Sequence, residues 1–264
     1  MPKNSLIFHL LRPQIWPLLL LIGANILIIA PISPILRYTA ALMLLAFLPG
    51  WVWLHPFFDP QRDNNPSQTS PLLDIPERFT LAIDLSLALT IFGSMFAVYL
   101  PGPLNLSQLL IMIDLLSAAG LVAIWWQSRS LPPPLPRSPA PVLSPALLSL
   151  TILLLLAALL RLPRLGYAEF HEDEAEALML GVRLLQGEDY ALFLHRKGPA
   201  QMLVPLTFWL LTGHISETLA RFPFALSSIL SVAALFFMGW RWFNWQAGAI
   251  AGLLWAINGY AIAF

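Results

Sequence analysis

The chain has no cysteine, which excludes disulfides and cysteine–zinc centres and leaves the redox compartment unread. Charge is almost as scarce. Asp, Glu, Lys and Arg make up 11% of the 264 residues and cancel to zero net charge, where a soluble domain carries about 25%. No basic stripe marks a surface for nucleic acid, so none is expected as a partner. The first apolar run follows Lys3, His9 and Arg12 as a signal peptide would, but no small-x-small cleavage site comes after it, and Pro31-Ile-Ser-Pro34 leads into another apolar run. That first run therefore reads as a retained membrane helix.

What is present is apolar. Hydrophobic residues make up 58% of the chain and the mean hydropathy is +0.73. A span needs about 20 apolar residues; the runs at 14–31, 35–55, 78–100, 106–127, 145–161, 218–239 and 246–264 are the candidates. The expected fold is an all-α, polytopic membrane protein of about seven transmembrane helices, with amphipathic juxtamembrane helices in one long external loop. Two intervening segments are polar: 55–77, and the Pro-rich 128–144, which reads as a polyproline-type linker. They give three parts: a four-helix membrane region at 1–127, the linker at 128–144, and a second membrane module at 145–264. The apolar run at 199–213 is short for a span and reads as a re-entrant or interface-lying helix.

Seven of the 14 acidic residues fall between Arg161 and Pro199: Glu169, Glu172, Asp173, Glu174, Glu176, Glu188 and Asp189. Arg161, Arg164, Arg183, Arg196 and Lys197 accompany them. Within this stretch 173–187 has helical spacing, with Asp173 expected as N-cap, Glu176 at N3 and Gly187 as the stop. Acids at a helix start favour the macrodipole, which alone accounts for some of the cluster. The crowding of Glu172, Asp173, Glu174 and Glu176 beside His171 also suits a general base, or oxygen ligands for a divalent metal ion with His171. His-Glu-Asp-Glu is not by itself a recognised metal spacing. Arg196 and Lys197, just before the short helix, suit a phosphate or a snorkelling pair at the headgroups.

In order, the chain offers Arg161-Leu-Pro-Arg-Leu165, Phe170-His-Glu-Asp-Glu-Ala175, an amphipathic helix, Lys197-Gly-Pro199, a short apolar helix, Glu217-Thr-Leu-Ala-Arg-Phe-Pro-Phe-Ala-Leu226 and Gly239-Trp-Arg-Trp-Phe-Asn-Trp-Gln-Ala-Gly248. This order resembles the N-terminal third of GT-C-type membrane glycosyltransferases, most of all the group of protein O-mannosyltransferases and the lipid A aminoarabinose transferase. The resemblance covers 145–264. It implies transfer of a sugar from a polyprenyl-phosphate donor to a glycan, lipid or protein acceptor at the outer face of a prokaryotic plasma membrane. Asp173 would be the acid of the catalytic centre, as base or metal ligand, supported by Glu174. Lys197, with Arg196, would contact the donor phosphate; His171, Glu172 and Arg221 would support the site. Gly198-Pro199 stands where the family often has two prolines. Such enzymes continue with further helices and a second external acidic site, so the chain is expected to be a fragment of a longer enzyme.

Placing Lys3 and Arg12 inside puts 55–77 and the linker inside too, with the turn around Arg241 if 199–213 does not cross, and the acidic loop outside; Arg37 and the five basic residues of that loop are the exceptions to the positive-inside rule. Two acids lie within expected spans, Asp84 towards the inner end of its helix and Asp114 about two turns from the outer end, each expected to hold a local hydrogen bond. They keep open a transporter reading, in which both relay protons. A third reading is a non-catalytic scaffold or lipid-binding module whose loop docks a partner.

Overall fold

A computed structural model describes residues 15–30, 33–58, 75–128, 145–163, 165–166, 170–188, 190–194 and 198–258. Every regular element among the described residues is an α-helix: α1 Ile15–Ile29, α2 Pro34–Ala46, α3 Leu48–Phe58, α4 Ile75–Val98, α5 Leu106–Ser128, α6 Pro145–Arg161, α7 Glu172–Leu185, α8 Ala191–Leu194, α9 Ala200–Thr212, α10 Glu217–Trp242 and α11 Trp245–Ala256. Four stretches are long and apolar enough to cross a membrane: Pro34–Phe57, which joins α2 and α3, then Pro76–Val98, Leu106–Gln127 and Glu217–Trp242. These match four of the seven expected spans.

The other three are shorter. α1 has 15 residues and α6 has 17. The expected span at 246–264 is a 12-residue helix that stops at Ala256, roughly 18 Å long at 1.5 Å per residue. Arg161 satisfies the carbonyls that this end leaves free, as described below. α9 also departs from one of its two expected forms. A helix lying in an interface keeps one polar, solvated face, whereas ten of the 13 residues of α9 are buried, on all sides.

The helices group into two compact units. The first comprises 1–74, 81–132 and 171–214, so α7, α8 and α9 pack with helices of the front region. Its contacts include the buried hydroxyl pair Ser94–Thr207 at 2.7 Å, the bond from Trp53 Nε1 to the Leu116 carbonyl at 2.8 Å, and the bond from Thr90 to the Leu45 carbonyl at 3.3 Å.

The second unit comprises 75–80, 133–170 and 215–264. Its core is built by α6, α10 and α11 from Leu150, Leu153, Ala157, Ile229, Val232 and Phe236, among others. α10 and α11 meet at Gly239 and Gly248. A Cβ on Gly239 would lie 2.6 Å from the Gly248 Cα, and one on Gly248 would lie 2.3 Å from the Phe236 carbonyl. No larger residue fits, and the backbones approach as small residues allow in membrane helix pairs. At the start of α4, Glu77 accepts a two-pronged ion pair from Arg241: Arg241 Nε donates to Oε1 at 2.6 Å and Nη2 to Oε2.

Candidate functional site

The acidic cluster forms the first turn of α7. The cap differs from the expected one. His171, not Asp173, is the N-cap, and Glu174, not Glu176, is the N3 residue. The His171 Nδ1 accepts the Asp173 N–H at 3.4 Å, and the Glu174 carboxylate accepts the His171 N–H at 3.2 Å. Two of the donors that a helix start leaves unpaired are thereby satisfied reciprocally. The helix starts two residues earlier than expected, with Glu174 reaching back three residues to the His171 N–H and His171 completing the exchange.

This cap assigns work to each member of the cluster. Glu174 spends a carboxylate oxygen on it. His171 spends Nδ1, so the 3.8 Å approach of that nitrogen to Asp173 Oδ2 is no ion pair in the capping tautomer. Asp173 sits just inside the cap with its side chain 47% exposed; Glu172 and Glu176 are exposed. Among the described residues no three His, Cys, Asp or Glu side chains converge as a metal-binding group. Asp173 and His171 supply two such side chains, with the imidazole Nε2 as the nitrogen the cap leaves over.

The opposite face of α7 buries Ala177, Leu178, Leu180, Gly181 and Leu184, in contact with α9. Its end falls where expected, with Gly187 at φ +89°, a conformation glycine adopts without a Cβ clash. There the Leu104 N–H bonds the Leu184 carbonyl at 3.3 Å, joining the α4–α5 turn to α7. Just beyond, Tyr190 donates to Glu188 at 2.7 Å. This hydrogen bond and the carboxylate's charge push the phenol above its ordinary pKa.

Arg196 and Lys197 lie outside the described residues. Arg221 belongs to the second unit, where it donates to the Leu165 carbonyl at 2.8 Å and stands 5.0 Å above the Phe170 ring. That is a bracing role for the loop that follows α6.

Two more arginines brace helix ends. Arg37 Nε donates to the Leu211 carbonyl at 2.9 Å and Nη2 reaches the Leu210 carbonyl at 3.5 Å, at the C-terminus of α9. Arg161, only 4% exposed, donates to the Trp255 and Ala256 carbonyls at 3.0 Å each, at the C-terminus of α11, and to Ser228 Oγ at 2.8 Å. Cations suit helix C-termini because the last carbonyls carry partial negative charge. Arg161 therefore belongs to the packing of the second unit and not to an exposed polar loop. Neither cap was foreseen, although Arg37 had stood out as the misplaced cation of the charge pattern.

Of the two acids within apolar helices, one meets the expectation of a local hydrogen bond and one does not. Asp114 does hold a local bond, accepting from Asn25 Nδ2 at 2.9 Å. Asp84 holds none among the described residues and lies exposed. It lies in the N-terminal half of Pro76–Val98, three residues from the central Leu87.

The fold and composition thus define a class: an all-helical protein with four helices fit to cross a membrane. No family model, curated protein or solved structure matches the chain.

Proposed function

We propose that the chain is a multi-pass membrane glycosyltransferase module that moves a sugar from a polyprenyl-phosphate donor to an acceptor, with Asp173 as the acid of its centre. One observation carries this reading: the first turn of α7 gathers Glu172, Asp173 and Glu174 on a rigid helix start, with His171 and Glu174 supplying the cap. Asp173 is left half-exposed on that start, where a carboxylate can accept a proton from an acceptor hydroxyl. By the sequence resemblance, Lys197 and Arg196 stabilise the departing phosphate charge. Glu174 and His171 position Asp173, and by the sequence resemblance Glu172 and Arg221 are supporting residues.

Contacts within each unit support the membrane topology this reading needs. Leu104 touches Leu184, so the chain crosses an even number of times between them. α5 crosses, so α6 crosses as well, despite its 17 residues. Glu77 touches Arg241, so crossings between those two are also even. α4, α5, α6 and α10 make four, and α9 returns to the side it entered from. By the sequence reading, Lys3 and Arg12 lie inside and the acidic loop lies outside. Arg37 no longer offends the rule, because its place is fixed by the α9 carbonyls.

The test is Asp173→Asn in the full-length protein, assayed against a panel of polyprenyl-phosphate sugars. Loss of a general base lowers transfer by about 10²-fold or more, with expression and helix content unchanged. Near-normal turnover would rule the role out.

A further inference from the structure

Asp84 is the group this reading leaves unused, and the inference below does not rest on glycosyl transfer. It lies on the outward face of α4, in one stripe with Ala88, Phe92, Phe96 and Tyr99. The aromatic members are 56%, 58% and 61% exposed. The Asp84 Cα lies three residues, about 4.5 Å of helix rise, from the middle of the 23-residue apolar span. No described side chain or backbone group bonds it. A carboxyl in hydrocarbon without a partner is unfavourable, and such acids face protein or water and pair.

The chain satisfies its other in-span acid with an amide donor from a neighbouring helix, Asn25 to Asp114. We propose that the Asp84 face docks a transmembrane helix of a partner protein that presents a basic or amide side chain at mid-bilayer. Charge complementarity selects that occupant. A second copy meeting the same face about a two-fold axis would set two carboxyls against each other. Lipid tails offer no donor at all. Ala88, one turn from Asp84, leaves room for a close helix approach, and Phe92 and Phe96 flank the contact towards the outer end.

The chain has no cysteine, so a donor dye on Ser107→Cys labels a single site. The labelled 264-residue protein, reconstituted in phosphatidylcholine vesicles, is titrated with acceptor-labelled leucine-rich helices carrying one central Arg, one central Asn, or only Leu. The Arg and Asn helices should associate roughly tenfold more tightly than the all-Leu helix. Asp84→Leu should erase the difference while the protein keeps its helix content and unfolding midpoint. Equal affinity for all three helices overturns the proposal. So does energy transfer between copies of the protein that Asp84→Leu abolishes, or labelling of Asp84→Cys by a membrane-impermeant maleimide, which would place the face on an aqueous path.

Discussion

Arg37 and Arg161 perform one task in two settings. Each braces the C-terminus of a short apolar helix, α9 or α11, by donating to two carbonyls of its last turn. Arg37 does so half-buried, with two bonds. Arg161 does so at 4% exposure and adds Ser228 and the Ala157 carbonyl, so four neutral acceptors surround it. The difference teaches that depth sets how many acceptors a cation recruits. Near the surface, water completes the shell; in the core every N–H must find protein.

Removing each cation in turn would measure that difference. Arg161→Met leaves the Trp255 and Ala256 carbonyls without their donor, and about 3 kcal/mol should be lost in detergent unfolding experiments. Arg37→Met should cost about 1–2 kcal/mol, since water can reach the freed end. Equal costs would break the comparison. Glu77→Gln sharpens it from the other side: Arg241 has a true carboxylate partner but a half-exposed side chain, so about 1 kcal/mol is expected.

The smallest effect lies at the fully exposed extreme. The Tyr190 phenol is raised by its bond to Glu188. Its contribution to stability is therefore present below the ordinary tyrosine value of about 10 and fades as pH rises through the raised value. Glu188→Gln should return the phenol to the ordinary range in an ultraviolet titration, with Tyr190→Phe identifying the signal. An unchanged titration would show the bond to be absent in solution.

The long spans were legible because hydropathy is local: 35–55, 78–100, 106–127 and 218–239 each declare themselves in about twenty residues. The end of α9 was legible in Gly213, which takes the left-handed conformation at the helix stop; the arginines that cap α9 and α11 were not, because they lie 174 and 95 residues away in sequence. At the candidate site the acidic helix and its Gly187 stop were readable, while the cap was misassigned. Asp outranks His as a capping residue in general, and the choice was decided by Glu174 reaching back to the His171 N–H. The in-span carboxyls were visible as residues, but their surroundings were not: only packing tells that Asn25 answers Asp114 and that Asp84 faces outward.

The Arg37 cap also orders events in time. Its acceptor lies 174 residues downstream, and chains elongate at about 5–20 residues per second. α2 therefore waits roughly 10–35 s after Arg37 is made before α9 exists to be capped. In that interval the guanidinium must keep its head at the headgroups, stem in the bilayer. The arginine that caps α9 thus has to serve α2 alone until α9 is made, and the cap then withdraws it from water.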